Sequence, residues 1–401
     1  MIAQKLLPGS SAQNNPAQHT TLGVMGGGQL GRMFVHAAQS MGYFTAVLDP
    51  DPVSPAGLVS HYHIKADYLD EQGLAQLMQR CAAVTTEFEN VPAGALRTLG
   101  GARFTAPDAH AVSIAQDRIL EKSHLARSGT PVAPYGVIES AEQLHAVPDH
   151  LFPGILKTAR LGYDGKGQVR VHSRGDLAQA WQSLKQMPCV LEQMLPLAAE
   201  CSVIVARGSD GQVVHFAPQR NLHRGGILAV TEAFAGNLPA AVAAQAVATT
   251  VQIATDLAYV GVLCVEFFLL QEGTAAQREL GTLVVNEMAP RPHNSGHYTL
   301  DACDSSQFDL QVRTLAGMPL TMPRQHSAAV MLNLLGELWV DGRTPPWDAL
   351  LALPGAHLHL YGKLKPSVGR KMGHLTITAA SADEARSVAL QAARLLGIAP
   401  F

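Results

Sequence analysis

The sequence predicts an α/β region followed by an α+β region in which antiparallel sheets dominate. Three observations support this fold class. Short apolar strands alternate with helices up to about residue 128, which is typical of a parallel sheet covered by helices. A glycine-rich segment then follows a short strand at Gly154–Lys157. Two later apolar runs, Val262–Leu270 and Leu283–Val285, flank a polar connection and predict an antiparallel pair.

Length and composition indicate a globular chain of two or three domains. The 401 residues exceed the roughly 150 of one average domain, and 47% of them are hydrophobic. The 29 basic and 32 acidic residues leave no basic field that would indicate nucleic acid. Five scattered cysteines argue against a disulfide framework or a zinc ribbon, and they fit a reducing cytoplasm.

The first 20 residues resemble neither a secretion signal nor a membrane segment. Met1–Thr20 has no sustained apolar core, and no apolar run approaches the ~20 residues of a membrane span. We therefore expect a cytoplasmic protein with no membrane partner, and a disordered polar tail over residues 1–20.

The first predicted unit is a strand, a glycine turn and a helix. Strand Leu22–Met25 runs into Gly26-Gly-Gly-Gln-Leu-Gly31, and a helix from about Leu30 to Met41 and a strand ending at Asp49 follow. This matches the dinucleotide fingerprint Gly-x-Gly-x-x-Gly with its distal acid, so the domain is expected to be Rossmann-like. Such a turn also serves any phosphate, and Arg32 fits a phosphorylated ligand equally well.

Two acids stand at the end of the next strand. Glu87 and Glu89 directly follow Ala83–Thr86, where ligands gather in open parallel sheets. They are either ligand-binding residues or solvated loop acids. Helix Asp117–Ser128 comes next and carries Arg118 in its first turn.

Pro131-Val-Ala-Pro134 marks a linker and a domain boundary. The expected division is a tail at residues 1–20, a Rossmann-like domain at 21–130, a small domain at 131–205 and a carboxyl-terminal domain at 206–401.

The small domain contains a phosphate-binding pattern. Lys157 ends a strand, and the loop Thr158–Gln168 holds three glycines within six residues. Backbone N–H groups of such a mobile loop can fold over phosphate oxygens. An ordinary glycine-rich hairpin is the alternative, but Lys157, Arg160 and Lys166 cluster around the glycines.

Glu192-Gln-Met-Leu195 ends the last strand of this small domain, before a turn at Pro196. Exposed backbone groups at such a strand edge suit an adenine, and Glu200 could accept hydrogen bonds from ribose hydroxyls. A polar loop at Asn221–Gly226 and a structural, alanine-rich helix at about Pro239–Ala258 are expected next.

The two apolar runs of the carboxyl-terminal domain place acids on neighbouring strands. Glu266 and Glu287 can share one face of an antiparallel pair, because side chains alternate across a strand. Two such carboxylates repel unless a cation lies between them, and oxygen ligands beside phosphates suit magnesium. Arg291 and His293 follow on a proline-rich loop as donors for an anion. A hairpin with one buried, hydrogen-bonded Glu is the alternative.

The carboxyl-terminal segment contains a histidine pair and a basic turn. His357 and His359 share a strand face, but no third ligand is near in the sequence, so a structural role is favoured over metal binding. Lys363, Arg370 and Lys371 surround a Pro/Gly turn and form either a phosphate clamp or a solvated basic loop.

Together these features describe ATP held between two β-rich lobes, with magnesium bridging its phosphates. Phosphoryl transfer needs positioning and charge neutralisation rather than a protein nucleophile. A second anion site near Arg291 and His293 indicates that the acceptor is anionic.

Seven motifs occur in the order found in one enzyme family: GGGQLGRM at 26–33, TEFEN at 86–90, QDR at 116–118, GYDGKGQ at 162–168, NLH at 221–223, NEMAPRPHNSGH at 286–297 and GRKMGHL at 369–375. On these motifs the chain resembles the 5-(carboxyamino)imidazole ribonucleotide synthetases. These are ATP-grasp ligases of purine biosynthesis that carboxylate aminoimidazole ribonucleotide with bicarbonate. The resemblance runs from about residue 20 to residue 380.

The resemblance implies an ATP-grasp fold with a mobile lid, the substrates ATP and bicarbonate, Mg²⁺, no organic prosthetic group, and a homodimer. It also implies residue roles. ATP would be bound by Arg118, Lys157, Gly162, Tyr163, Asp164, Gly165, Lys166, Gly167, Gln168, Glu192, Gln193, Met194, Leu195, Glu200, His223, Asn286 and Glu287. The catalytic group would comprise Tyr163, Asp164, Arg291 and His293, the substrate site Gly28, Gln29, Leu30, Glu87, Lys363, Arg370 and Lys371, and the metal site Glu266 and Glu287.

The implied reaction proceeds through carboxyphosphate, formed while the Gly162–Gln168 loop excludes water. Asp164 is the expected partner of the substrate's exocyclic amine. One departure concerns the metal. Many ATP-grasp enzymes have Asn two residues after the second metal-binding Glu, where this chain has Ala289, so either Asn286 or water is expected to take that place.

Other enzyme classes are also compatible with parts of the sequence. A formate-dependent glycinamide ribonucleotide transformylase would keep the ATP site and change the substrate loops. A biotin-dependent carboxylase would share the bicarbonate chemistry but have an additional tail. An NAD-binding dehydrogenase or a nucleotide sensor would use Gly26–Asp49 alone.

Overall fold

A computed structural model describes residues 5–12, 15–162 and 166–401. It begins with a two-stranded hairpin of β1 (Ser11–Ala12) and β2 (Asn15–His19). The expectation of a disordered tail is therefore wrong for the described part of residues 1–20. Leu6 is buried in the amino-terminal core, and its carbonyl accepts a hydrogen bond from the Tyr43 hydroxyl at 2.5 Å. The apolar Leu6 side chain is what ties this segment down.

The predicted Rossmann-like sheet is confirmed. Its five strands are all parallel in the order β5-β4-β3-β6-β7. Helix α2 begins where Asp70 accepts a hydrogen bond from the Gly73 N–H, and it buries Leu74 and Leu77 against the sheet. The elements are β3 (Thr21–Met25), α1 (Gln29–Ser40), β4 (Phe44–Leu48), β5 (Tyr62–Ile64), α2 (Glu71–Arg80), β6 (Ala83–Thr86), α3 (Ala93–Gly100), β7 (Phe104–Thr105), α4 (Ala109–Ala115) and α5 (Arg118–Arg127).

A four-stranded antiparallel sheet follows, in the order β10-β9-β11-β8. It has a core of its own around Leu156, Trp181 and Leu191. A separate core is what allows such a unit to move as a body. The elements are β8 (Tyr135–Ile138), α6 (Ala141–Ala146), β9 (Gly154–Thr158), β10 (Gln168–Val171), α7 (Arg174–Ser183) and β11 (Cys189–Gln193).

The rest of the chain forms a nine-stranded antiparallel sheet in the order β17-β16-β12-β14-β15-β18-β20-β19, with β13 paired to β12. The elements are β12 (Leu197–Arg207), β13 (Val213–His215), β14 (Gln219–Arg224), β15 (Ile227–Ala233), α8 (Ala240–Asp256), β16 (Gly261–Leu270), α9 (Ala275–Leu280), β17 (Leu283–Ala289), α10 (Thr299–Ala302), α11 (Gln307–Leu315), β18 (Ala328–Leu335), α12 (Trp347–Leu351), β19 (Ala356–Leu360), β20 (Lys371–Ala379) and α13 (Ala382–Leu396).

Two sequence predictions for this region are wrong. The expected polar loop at Asn221–Gly226 is largely strand β14, whose polar residues form a ladder with β12 and β15. The expected boundary at residue 205 cuts strand β12, which belongs to the large sheet along its whole length. In both cases cross-strand pairing overrides a local polar or glycine signal.

The parallel sheet and the large sheet are joined by one core. Helix α11 lies against α1 and contributes Phe308 and Val312 to the amino-terminal core. Among the described residues none of the helices has both the length and the apolar surface needed to cross a bilayer. The five cysteines are buried and form no disulfide within the described residues, as the sequence predicted.

Candidate active site

Strands β16 and β17 place Glu266 and Glu287 directly opposite each other. Cross-strand partners project from the same face of a sheet, so the predicted shared face is confirmed. The register then shifts, because Phe267 pairs with Val285, and Asn286 is left as an extra residue. Such a β-bulge sets two residues of one strand opposite one residue of the other and redirects their side chains.

Acids and histidines alternate in a chain of contacts around Glu266. His293 Nε2 lies 3.0 Å from Glu266 Oε1, and His223 Nε2 lies 3.8 Å from Oε2. The other nitrogen of His223 contacts Glu200 Oε2 at 2.7 Å. Burial alone would raise the pKa of Glu266, but His293 and His223 outweigh it and lower the pKa to about 2. The four side chains therefore form one contiguous polar group.

The pKa of His223 depends on both of its acid neighbours. Burial of His223 lowers its pKa, and the hydrogen bond to Glu200 together with the negative charge of Glu266 reverses that effect. The net result is a raised pKa, so the imidazolium form of His223 is favoured.

One face of helix α5 binds the strand that carries Glu287. Arg118 Nη1 lies 2.7 Å from Glu287 Oε2. Lys122 donates to the Asn286 carbonyl at 3.0 Å, and Glu121 Oε1 accepts from the Met288 N–H at 2.7 Å. Residues three and four apart lie on one helix face, which is why all three side chains reach β17. Sequence reasoning identified Arg118 and missed Glu121, although the spacing of the two residues on one helix was a usable signal.

Lys157 is held by a buried carboxylate. Glu192 Oε2 lies 3.0 Å from Lys157 Nζ and 3.3 Å from Lys122 Nζ, and its side chain is 3% exposed. Burial lowers the pKa of Lys157, and Glu192 opposes that shift. Glu192 was expected to line an adenine. Its carboxylate contacts two lysines, because β9 and β11 pair side by side, and its place beside an adenine stays a prediction.

The predicted adenine edge is partly closed. The backbone N–H groups of Gln193 and Met194 donate to the carbonyls of Pro134 and Pro153, at 2.8 and 2.9 Å. They are therefore satisfied within the protein. The Met194 side chain is exposed and that of Leu195 is buried.

The glycine loop meets the site at Arg118. A β-carbon at Gly162 would lie 3.9 Å from Arg118 Nη2. Gly167 has a φ of 71° and accepts a hydrogen bond from the Thr158 N–H at 2.8 Å, while Lys166 and Gln168 are exposed. Tyr163, Asp164 and Gly165 lie outside the described residues.

The amino-terminal glycine turn binds the protein's own acids. Gly27 N–H donates to Asp49 Oδ2 at 2.7 Å, and Glu87 accepts from the N–H groups of Gly28 and Gly31 at 2.9 and 3.1 Å. The suggestion that Glu87 is a solvated loop acid is therefore wrong. An NAD pyrophosphate would require the N–H groups that these carboxylates occupy. Gln29 and Leu30 begin helix α1 at this turn.

Arg291 is paired with Glu89. The Nε atom of Arg291 donates to Glu89, and its Nη1 donates to the Pro292 carbonyl at 3.1 Å. Burial would raise the pKa of Glu89, but Arg291 outweighs it and holds the pKa at about 2. This ion pair joins the end of β6 in the parallel sheet to the loop that follows β17, so Glu89 is not a solvated acid either.

The basic turn lies beside the glycine turn. A β-carbon at Gly362 would approach Arg32 Nη1 to 3.3 Å. Lys363 donates to the Lys371 carbonyl at 2.7 Å, and Arg370 donates to the Lys365 carbonyl at 2.6 Å. Lys363 and Arg291 both act to lower the pKa of Glu87, although its burial still raises that pKa overall. The fold thus brings together Arg32 and Gly362, which lie 330 positions apart in the sequence.

Comparison with known families divides the chain into three parts. The ribonucleotide synthetase preATP-grasp domain matches residues 19–116, the ATP-grasp domain matches residues 123–308, and the phosphoribosylaminoimidazole carboxylase C-terminal domain matches residues 329–388. These ranges follow the order of the parallel sheet, the central sheets and the carboxyl-terminal strands.

Individual relatives match over most of their length. The N5-carboxyaminoimidazole ribonucleotide synthase of Brucella melitensis is 42% identical over 89% of this chain and 96% of its own. A solved ADP complex of an N5-carboxyaminoimidazole ribonucleotide synthetase aligns with a TM-score of 0.87 at 35% identity, covering 99% of both chains. The Aspergillus clavatus enzyme, solved with ADP and 5-aminoimidazole ribonucleotide, gives 0.84 at 30% identity, covering 94% of this chain and 99% of its own. The chain belongs to the N5-carboxyaminoimidazole ribonucleotide synthase family of ATP-grasp ligases.

Proposed function

We propose that this chain carboxylates 5-aminoimidazole ribonucleotide with bicarbonate and ATP, giving N5-carboxyaminoimidazole ribonucleotide, ADP and phosphate. The observation that carries the proposal is the opposed pair Glu266 and Glu287, flanked by Arg118, Lys157 and His293. The relatives above support it, since one was solved with ADP and the aminoimidazole substrate.

The residues at the acid pair fit Mg²⁺. The side-chain oxygen of Asn286 is buried and has no hydrogen-bond partner among the described residues. It belongs to the bulged residue next to Glu287, so it can serve as the third protein ligand left open by Ala289. Carboxylate and amide oxygens are the ligands that Mg²⁺ prefers. When bound, Mg²⁺ would neutralise charge on the ATP phosphates.

Around it, the chain's own cations would hold the nucleotide. Arg118 and Lys157 bind phosphate oxygens, with Glu192 fixing the position of Lys157. Glu200 takes the ribose hydroxyls and His223 lies at the nucleotide. Glu192, Gln193, Met194 and Leu195 line the adenine. Gly162, Gly165, Lys166, Gly167 and Gln168 close over the phosphates.

The chemistry would proceed in two steps. An oxygen of bicarbonate, positioned by Arg291 and His293, attacks the γ-phosphorus, and ADP leaves as carboxyphosphate forms. The exocyclic amine of the substrate then attacks the carboxyl carbon, or carbon dioxide released inside the pocket. Phosphate leaves, and the nitrogen loses a proton. We assign Tyr163 and Asp164 to the closing of the site and to the amine.

The substrate end would use the two adjacent turns. Glu87 and the turn residues Gly28, Gln29 and Leu30 face the ribonucleotide, and Lys363, Arg370 and Lys371 bind its phosphate. The position of Arg32 supports this assignment, because its Nη1 atom would lie 3.3 Å from a β-carbon at Gly362 and the two turns are therefore adjacent. We also propose that the protein acts as a cytoplasmic homodimer.

A coupled assay tests the proposed function. ADP release is followed with and without aminoimidazole ribonucleotide and bicarbonate, and labelled bicarbonate is traced into product. We expect the label to enter product only when all three substrates are present. Incorporation of labelled formate into glycinamide ribonucleotide, or saturable NADH binding without ADP release, would contradict the proposal.

A further inference from the structure

We propose that Asp301, His359 and His374 form a binding site for one transition-metal ion, with Zn²⁺ as the ion that best fits their chemistry. One ligand atom of each residue lies within 4.8 Å of the other two. The site is separate from the acid pair Glu266 and Glu287, and it does not depend on the proposed reaction.

The sequence shows two histidines on one strand, and the fold supplies the other ligands. His359 on β19 lies directly opposite His374 on the antiparallel neighbour β20. Helix α10 then brings Asp301 to the same place, with its carboxylate oxygens 3.0 and 3.1 Å from His359 Nε2. Bonds from zinc to its ligands are about 2.0–2.2 Å long, so two ligand atoms on one zinc ion have a similar separation. The expectation that a third ligand is missing is therefore wrong, because it considered sequence neighbours alone.

His374 provides an independent observation. Its side chain is fully buried, and its Nε2 atom has no hydrogen-bond partner among the described residues. Its Nδ1 atom lies 2.9 Å from the Tyr361 hydroxyl. When Nδ1–H donates to that oxygen, Nε2 presents a free lone pair, which is how metal-binding histidines are usually oriented. A buried polar atom left unpaired is unfavourable, and a bound ion removes that cost.

The three side chains offer a nitrogen-rich set of ligand atoms. Two imidazoles and one carboxylate suit Zn²⁺, whereas Mg²⁺ prefers an all-oxygen shell.

The ion can reach the site from one side. A cleft of about 500 Å³ is lined by His359, Leu300 and Asp309, among other residues. The rings of His359 and His374 lie nearly parallel, with centroids 4.5 Å apart, so one ring must turn for both lone pairs to meet. The His359 side chain is one-third exposed, whereas His374 is fully buried, so His359 is the ring that is free of complete burial.

A bound ion would connect two parts of the candidate active site. Helix α10 directly follows the loop that carries Arg291 and His293, and strands β19 and β20 flank the basic turn at residues 362–370. Metal bridging between α10 and these strands should therefore stabilise the folded state by mass action, in the way any ligand of the native state does.

Cobalt titration tests the site. Nucleotide-free and magnesium-free full-length protein is titrated with Co²⁺, whose visible absorption reports nitrogen and oxygen coordination, and Zn²⁺ is then added. We expect one equivalent of Co²⁺ to bind, Zn²⁺ to displace it, and excess Mg²⁺ to leave it in place. Zn²⁺ should also raise the melting temperature.

Substitutions locate the ion. Asp301→Asn and His359→Asn should abolish the cobalt absorption, while His326→Asn, at an exposed histidine, and Glu287→Gln should retain it. Far-UV circular dichroism and melting without metal show that the variants are folded. The proposal is overturned if no one-equivalent absorption develops, or if it persists in both Asp301→Asn and His359→Asn.

Discussion

The Glu121 carboxylate accepts a hydrogen bond from the Met288 N–H at 2.7 Å, and so fastens helix α5 to the strand that carries Glu287. Glu121 is 2% exposed. Its neighbours on α5, Arg118 and Lys122, bind the same strand. The position of the second acid is therefore set by a helix that lies more than 150 residues earlier in the chain.

Stability should depend on pH through Glu121. Burial raises its pKa to about 7, because Arg118 and Lys122 only partly offset desolvation. The folded state then binds the proton more tightly than the unfolded state, whose Glu pKa is about 4.3. The contribution of Glu121 to the free energy of unfolding is fully present below about pH 4 and is lost as pH rises to about 7. Glu121→Gln keeps the acceptor, and it should remove this pH dependence in urea unfolding measured between pH 5 and 8. If the unfolding free energy of Glu121→Gln depends on pH as that of the wild type does, Glu121 does not have a raised pKa in the folded state.

Glu287→Gln should reduce kcat strongly. The substitution removes one charge from the acid pair and the partner of Arg118. Losing one such electrostatic contact costs roughly 2.7–4 kcal/mol in the transition state, or about 10²–10³ in rate. Steady-state ADP release measures the effect, and Glu279→Gln, an exposed glutamate on α9, is the control. An equal loss of kcat in Glu287→Gln and Glu279→Gln would contradict a specific role for the Glu287 charge.

Glu192→Gln should destabilise the fold by about 3–5 kcal/mol, because it leaves Lys122 and Lys157 buried without their counter-charge. Asp149→Asn breaks the exposed pair with Arg174 and should cost only about 0–1 kcal/mol. Urea unfolding at pH 7 compares the two.

The loss of stability in Glu192→Gln should depend on pH. Burial would raise the pKa of Glu192, but Lys122 and Lys157 hold it at about 2. The stabilisation that the Glu192 charge provides is present above the unfolded pKa and is lost as pH falls toward 2. The difference between wild type and Glu192→Gln should therefore shrink on acidification below about pH 4. A constant difference across that range would indicate packing rather than charge.

Glu89→Gln should raise the KM for bicarbonate more than the KM for ATP. Glu89 holds the Arg291 side chain from across the domain junction, and the neutral amide binds guanidinium less strongly. Initial rates at varied bicarbonate and at varied ATP separate the two constants. Glu71→Gln, on the exposed start of α2, serves as the control. A parallel rise in both constants would point to general disruption instead.

Gly167→Ala should impair loop closure. A β-carbon there would lie 2.7 Å from Thr158 Oγ1, and the residue has a φ of 71°. Gly273→Ala has a similar φ of 76° but meets nothing within 4 Å, so it carries backbone strain of about 1–3 kcal/mol without the clash. We expect kcat to fall in Gly167→Ala alone, with stopped-flow nucleotide binding reporting the loop. Matching kinetics in the two variants would attribute the loss to strain elsewhere.

Sequence alone determined the order of sheets and many of the charged candidates. The sequence located β6 at its observed bounds, Ala83–Thr86, because a short apolar strand followed by two acids is a local signal. Alternation on β16 and β17 allowed Glu266 and Glu287 to share one face, and the register between the strands confirmed it. Composition and scattered cysteines correctly excluded a disulfide framework.

Tertiary structure decided which charges meet. The partners of Glu192, Glu87 and Glu89 lie 35 to 202 positions away. Local sequence patterns do not reveal contacts at such separations. The bulge at Asn286 and the contact of Asp301 with His359 likewise depend on the register between strands and on the position of helix α10. Sequence patterns specify the face that a side chain occupies, whereas burial, pKa and pairing depend on what the folded chain brings to that face.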